Sequence, residues 1–344
     1  MRIAVVSTPV FRLGSTGLTG YGGLEQIAWH CAKGLAEMGN QVILVAPDNS
    51  ECPGVQVFPI GPERQVDEKQ AYDKYWQLLL QVECVIDHSW NKWAYMIKAE
   101  GRLKAPVLGV MHAPINTMIA QPPPVAKPCI VCISEDQRQH YEALFAPRKA
   151  RTCYNGIDLS FYRPLGVPRT DRFLFLARFS EIKGADLAIE ACRKVGAGLD
   201  LIGDTTITNE PEYFHRCKAM CDGEQIRMVG ACSRSEAVWW YSQAHALIHA
   251  NKRFREPFGL APVESLACGT PVIAWDYGAM RETVVELLVD SEEKLANAVR
   301  HIKEGGISQA SRDTCRKHAE QFSAERMAAR YFDLCREAVE SGGW

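Results

Sequence analysis

From end to end the chain alternates short apolar runs with stretches of helical period, and that alternation leaves few folds open to it. It is the pattern of a parallel α/β architecture. In the first half, strands are expected at Ile3–Ser7, Gln41–Ala46, Val55–Ile60, Cys84–Asp87, Val107–Met111 and Cys129–Ile133. The first helix places Leu24, Ile27, Ala28, Cys31 and Leu35 on one face and ends near Gly39-Asn40. Ser134 before Gln137, and Ser233 before Glu236, read as capping boxes opening two further helices. Between Asn155-Gly156 and Arg172 the period lapses, with Pro164, Gly166 and Pro168 marking a connection. The alternation then restarts, with strands expected at Phe173–Ala177, Leu199–Ile202, Ile226–Val229, Ala246–Ala250 and Pro271–Trp275. Two Rossmann-like α/β domains facing a cleft are therefore expected, one over residues 1–160 and one over 161–323. Ligands should sit beyond the carboxyl ends of the strands. An amphipathic helix closes the sequence at about 324–341, with Met327, Tyr331, Leu334 and Ala338 at helical spacing.

With 344 residues, each half is long enough to bury its own core. A net charge of −2 and no Lys/Arg tract argue against a nucleic-acid partner. Thirteen cysteines invite a search for metal sites. Cys129 and Cys132 fall in an expected strand, where residues three apart face opposite ways, and Cys217 and Cys221 have no second pair nearby. Zinc is rejected on that reading. Met1-Arg2 leads straight into a strand with no signal-peptide core, so a cytoplasmic location with reduced thiols is expected. The longest uncharged stretch, Ala105 to Ala126, is interrupted by Pro106, Pro114 and Pro122 to Pro124 and does not read as a membrane span.

The chemistry concentrates in Glu256-Pro-Phe-Gly-Leu-Ala-Pro-Val-Glu264 and the Cys268-Gly-Thr-Pro271 that follows. Gly259 can open a helix while letting a ligand approach the backbone. The helix then presents free N–H groups and a positive dipole end to a diphosphate. Glu256 lies just before the helix and Glu264 about one turn into it. One carboxylate can thus address a sugar and the other a ribose. This block closely resembles the Glu-x7-Glu signature of retaining GT-B glycosyltransferases, family 4 (glycosyl transferases group 1). Nearly the whole chain shares the resemblance, most closely from Phe173 to Glu282 and least from Cys52 to Ala105, the part that would choose the acceptor.

The resemblance implies transfer of a sugar from a UDP-, GDP- or ADP-linked donor with retention at the anomeric carbon and no metal cofactor. The acceptor, whether small molecule, lipid or glycan, is left open. It implies catalytic roles for His112, Arg178, Lys183 and Glu256. Arg178 and Lys183 would stabilise the departing diphosphate, and Glu256 would hold sugar hydroxyls. Donor contacts fall to Gly22, Gly23, Val229, Gly230, Phe258, Gly259, Leu260, Ala261 and Glu264. Gly20-Tyr-Gly-Gly-Leu-Glu25 fits the family's Gly-Gly-x-Glu loop, and the stretch from Thr8 to Gly20 is assigned to the acceptor. Glu25 stands where a dinucleotide fingerprint needs its third glycine, which disfavours a nicotinamide dehydrogenase. His30 and His88 read as structural. Relatives carry a Gly-containing insert after the position of Glu282, which this chain lacks. Trp90, Trp93, Tyr95, Lys92, Lys98, Arg102 and Lys104 gather around one short helix, read as a solvated surface with peripheral membrane contact as the alternative. A non-catalytic nucleotide-sugar or glycan-binding protein on the same fold is the second reading of the whole chain.

Overall fold

The computed structural model describes residues 1–14, 22–115, 125–205, 210–285 and 287–344. Gly20 and Tyr21 of the glycine-rich motif, the acceptor loop from 15 to 20, and Glu286 lie outside these residues. Two compact units form, Met1–Gly156 together with Phe322–Trp344, and Ile157–Gln321.

In the first unit the described residues build a seven-stranded parallel sheet from β1 (Arg2–Val6), β2 (Gln41–Ala46), β3 (Gln56–Pro59), β4 (Cys84–Asp87), β5 (Val107–Met111), β6 (Ile130–Cys132) and β7 (Ala150–Thr152). Its order is β3-β2-β1-β4-β5-β6-β7. β1 lies centrally, pairing Ile3 with Val42 on one side and with Cys84 on the other. Among the described residues four helices precede the linker: α1 (Gly23–Glu37), α2 (Glu68–Leu79), α3 (Ala94–Ala99) and α4 (Glu135–Leu144). They cover a core that includes Val6, Val45, Val85, Tyr95, Val107 and Tyr141.

The second unit repeats the plan with six strands, β8 (Phe173–Leu176), β9 (Leu199–Ile202), β10 (Ile226–Gly230), β11 (Leu247–His249), β12 (Val272–Trp275) and β13 (Leu287–Val289). They run in the order β10-β9-β8-β11-β12-β13. Its helices are α5 (Ala185–Lys194), α6 (Pro211–Ala219), α7 (Arg234–Gln243), α8 (Leu260–Ala267), α9 (Met280–Thr283), α10 (Glu292–Gly305) and α11 (Gln309–Ala319). In each sheet the strand order reverses beside the first strand, at β1/β4 and at β8/β11. Those reversals open crevices at the carboxyl ends. The expected strands are present with ends moved by a residue or two, and β7 and β13 were not expected at all. Both are three-residue edge strands, too short for a period to show. β13 takes up the apolar run after Glu282, pairing Leu287 with Ile273 of β12.

The last helix, α12 (Ala324–Ser341), belongs to the first unit. Its buried stripe of Met327, Tyr331, Leu334, Cys335 and Ala338 matches the spacing seen in the sequence. It packs on α1 so closely that a Cβ on Gly34 would stand 2.4 Å from the Ala328 Cβ. Around α3 the aromatic and basic residues do not share one face. Tyr95 is buried, while Lys98 donates to the carbonyls of Lys104 and Ala105 and Lys92 to that of Ser89, leaving Trp90 exposed. Among the described residues no helix is long and apolar enough to cross a membrane.

Candidate functional site

In the second unit the site begins at α8. Gly259 caps this helix at φ +85, and a Cβ there would meet the Met280 Cε at 2.7 Å. Glycine is therefore required where the chain turns into the helix. Just upstream, the Glu256 carboxylate is buried. Its Oε2 accepts from Lys183 Nζ at 2.6 Å and from Asn251 Nδ2 at 2.8 Å, with His249 Nε2 at 3.6 Å. Oε1 takes none of these contacts. Burial opposes the charged form of Glu256, but the Lys183 ammonium and the His249 ring outweigh it and hold the carboxyl well below its ordinary range. Glu256 is thus ionised at every pH where the protein works, and activity should show no limb from its titration between about pH 5 and 9. A pH–rate profile checks this.

Lys183 comes from a single 3-10 turn, Glu181–Lys183, that follows β8. The next residue, Gly184, sits at φ +72, where a Cβ would lie 2.2 Å from the Ala250 carbonyl oxygen. That close approach sets Lys183 against the end of β11. Asp186 braces the turn, accepting from Tyr213 Oη at 2.8 Å and paired at both carboxylate oxygens with Arg253, which also donates to the Glu181 carbonyl. Arg178 stands at the carboxyl end of β8. Its charge, with the Ser180 hydroxyl and the Glu181 amide as the stronger influences, helps hold the Glu210 carboxyl low. Lys183 and Glu256, expected on separate parts of a ligand, are joined here, whereas the charge of Arg178 is felt at Glu210.

Glu264, in the second turn of α8, accepts from Tyr241 Oη at 3.0 Å and has Arg234 Nη2 at 3.9 Å. The Phe258 side chain is in the core, so any contact it offers a ligand comes from its main chain. Leu260 and Ala261 supply the first amides of α8. Val229 is exposed at the end of β10, and Gly230, at φ +106, accepts from the Gly203 amide at 2.9 Å.

In the first unit, Gly22 and Gly23 open α1, Gly22 with φ 153. Glu25, two residues on, is buried. The Thr8 hydroxyl donates to it, and burial raises its carboxyl above the ordinary value. His112 follows β5, and its ring Nε2 lies 2.9 Å from Nδ1 of His88 at the end of β4. His88, read from sequence as structural, is therefore the ring partner of His112. Burial pushes the His88 ring down to about 3, and it also lowers His112. Gln137 departs from the expected capping box. Its amide N–H meets the Ser134 hydroxyl, but its side chain accepts from Ile133 and donates to the Met111 and Ala113 carbonyls, on either side of His112. The Ser233–Glu236 box is present as expected.

His249 and Asn251 escaped the sequence reading, while His88 was read as structural and Gln137 only as a cap. The traceable signal was position, since His88 and Asn251 each follow a strand beside a sheet reversal. Among the described residues no group of three or more His, Cys, Asp or Glu is placed to hold a metal ion.

The neutral state of His88 and His112 has a consequence for stability. In the unfolded chain both rings bind a proton as the pH falls through about 6.5, while in the fold they do not until far lower. The unfolded state then holds more protons, so stability falls with pH, by about 1.4 kcal/mol per unit per ring. Carboxylates begin to contribute only near their unfolded values of about 4.5, which leaves the histidines a window of their own. Urea melts at pH 7.5, 6.5 and 5.5 should show this slope, and His88→Leu should flatten it. An unchanged slope would place a charged His88 in the fold.

Comparison with known proteins gives a consistent result. The family model described as "Glycosyl transferases group 1" matches residues 165–322, and that described as "Glycosyltransferase Family 4" matches residues 21–161. The D-inositol 3-phosphate glycosyltransferase 1 of Catenulispora acidiphila is 27% identical, over 99% of this chain and 97% of that protein. The D-inositol 3-phosphate glycosyltransferase of Thermobispora bispora is 23% identical, over 98% and 95%. The same fold occurs in AviGT4, a glycosyltransferase of avilamycin A biosynthesis, with a TM-score of 0.77, 22% identity and coverage of 99% and 98%. It occurs also in HepE of Anabaena in complex with UDP-glucose, with a TM-score of 0.74, 16% identity and coverage of 99% and 100%.

Proposed function

The chain belongs to the group 1 glycosyltransferases with the GT-B fold, and from that membership we propose that it transfers a sugar from a nucleoside-diphosphate donor with retention and without a metal ion. The observation that carries the reading is the buried Lys183–Glu256 pair beside the N-terminus of α8. It joins a cation and a carboxylate where a diphosphate and its sugar would meet the Leu260 and Ala261 amides. Structures of HepE with UDP and with UDP-glucose support a uridine donor. The names of the relatives support a phosphorylated cyclitol as the first acceptor to try.

In this reading the diphosphate lies over the α8 amides, with Lys183 and Arg178 on its oxygens. As the bond from the anomeric carbon to the phosphate oxygen breaks, that oxygen gains charge, and two fixed cations stabilise it. The acceptor oxygen bonds to the same face of the anomeric carbon and gives its proton to the departing phosphate. No protein base is needed. Glu256 Oε1, which takes none of the bonds to Lys183 and Asn251, orients sugar hydroxyls. The test is product formation from UDP-, GDP- and ADP-sugars with inositol phosphate, followed by assignment of the anomeric configuration by NMR. An inverted product, or activity that EDTA abolishes and Mg²⁺ or Mn²⁺ restores, would overturn the mechanism.

Glu264 is assigned to the ribose. Glu264→Ala should weaken the intact donor and the free nucleoside diphosphate alike, by about 1.5–3 kcal/mol for a hydrogen bond to a charged group. Tyr241→Phe, which removes only the hydroxyl that holds this carboxylate, should have the same sign and a smaller size. Calorimetry with UDP decides it, and unchanged affinity in Glu264→Ala would remove that residue from the nucleotide site.

A further inference from the structure

We infer that His88 is a positioning residue for His112, donating from its Nδ1 to His112 Nε2 and so fixing His112 as the neutral tautomer that offers an Nδ1–H to the ligand. The inference rests on the sugar-transfer reading only for what that ligand is.

His88 is completely buried, and its place is set from several sides. Its amide donates to the Val6 carbonyl of β1 at 2.9 Å. The preceding Asp87 accepts from the Ser89 amide at 2.9 Å and from its hydroxyl at 2.6 Å, which closes the turn after β4. The ring meets the Tyr331 ring of α12 edge-on, with centroids 5.6 Å apart. On the other side of the bond, Gln137 holds the main-chain carbonyls before and after His112, at 3.0 and 2.8 Å. Ring and backbone of His112 are therefore fixed independently, more restraint than a solvated loop histidine needs.

The 2.9 Å contact requires one N–H and one lone pair, so the two rings must choose together. If His112 donated, His88 Nδ1 would accept and its proton would sit on Nε2. That atom is buried and, among the described residues, has no hydrogen-bond partner. An orphaned buried N–H is among the rarest features of folded proteins. If His88 donates instead, only a lone pair is left at its Nε2, and His112 carries its proton on Nδ1. The charged and titratable neighbours are Asp87 and Lys92 near the end of β4 and Tyr331 on α12. The Lys92 ammonium disfavours a second positive charge on either ring. His112 would then act by donating a hydrogen bond to a sugar hydroxyl or phosphate oxygen, and not as a base.

The test uses the full chain labelled with ¹⁵N-histidine and long-range ¹H–¹⁵N correlation, which separates Nδ1–H from Nε2–H rings. Both His88 and His112 are expected as Nδ1–H tautomers that do not titrate between about pH 8 and 5.5. A His112 carrying its proton on Nε2 would overturn the assignment, whether or not sugar transfer is ever observed. In activity, His88→Leu should lower kcat/KM about tenfold, the equivalent of one lost hydrogen bond. With its Nε2 no longer held, the buried His112 ring should divide between Nδ1–H and Nε2–H forms in the same spectrum. His88→Asn, whose amide can donate from the place of Nδ1, should restore the single Nδ1–H form. A folded His88→Leu protein whose His112 stays wholly Nδ1–H would refute the positioning role. Should that variant not fold, the parent's spectrum and His88→Asn still decide.

Discussion

Lys183→Ala should lower turnover by about 10²–10³, the usual effect of removing one group that stabilises developing negative charge. It should also lower stability by roughly 3 kcal/mol, since it strands a carboxylate without its partner. The side chains of Lys183 and Glu256 are only 14% and 11% exposed, so water would screen the orphaned charge poorly. Among the described residues Asn251 would remain hydrogen-bonded to it, with His249 Nε2 at 3.6 Å. The two effects have separate readouts, steady-state kinetics and urea unfolding, and they should separate in a double-mutant cycle. Glu256→Gln alone removes the charge that holds Lys183. Combining it with Lys183→Ala should restore part of the stability and none of the turnover. Turnover unchanged in Lys183→Ala would leave the pair as a structural clamp and move the leaving-group role elsewhere.

Gly278→Ala should be nearly as damaging, although residue 278 offers no side chain to a ligand. Its φ is +71, and an added Cβ would stand 2.4 Å from the Glu256 carbonyl oxygen and 2.7 Å from the Glu256 nitrogen. Neither can move freely, because the Ala279 amide donates to that same carbonyl at 2.9 Å. Relief has to come from displacing Glu256 itself, so the variant should lose turnover along with at least about 2 kcal/mol of stability. The control is Gly39→Ala, also at positive φ (+84) but with nothing within 4 Å of the added atom. It should cost only the backbone strain of about 1–2 kcal/mol and leave kinetics intact. Equal kinetic loss in both variants would show that destabilisation alone accounts for the effect at Gly278.

The comparison of these two glycines also shows what could be read without coordinates. Alternating apolar runs were enough to locate the central strands of both sheets, since β2, β4, β5 and β9 coincide with the expected spans. Pairing and burial dominate there, and both leave a compositional trace. β7 and β13 are only three residues long and only partly buried, and leave none. Glu256, Glu264 and Lys183 could be singled out by residue type at a fixed offset, and the fold brings Lys183 onto Glu256. Their mutual arrangement could not be read that way. That Lys183 closes on Glu256 depends on Gly184 meeting Ala250, a contact across 66 positions that no local pattern encodes. His88 was passed over because a lone histidine after a strand has no sign of its partner 24 residues away. Gln137 was given the right helix and the wrong bond, since an amide near an N-cap serves the cap or a neighbouring strand equally well.

The assignment of α12 to the first unit has a consequence for synthesis. The first unit is closed by Phe322–Trp344, while the whole of Ile157–Gln321 stands between that segment and Gly156 in the chain. On the ribosome, α1 would leave the exit tunnel early with the face that receives Ala328 still uncovered. At roughly 5–20 residues per second, about fifteen to sixty seconds of elongation separate the two halves of that packing. By the end of that interval the second unit is fully synthesised and can complete itself, while the first still cannot. A chain ending at Gln321 and freed from the ribosome should therefore resist protease over Ile157–Gln321 and remain sensitive in α1, and restoring the final helix should be what protects it.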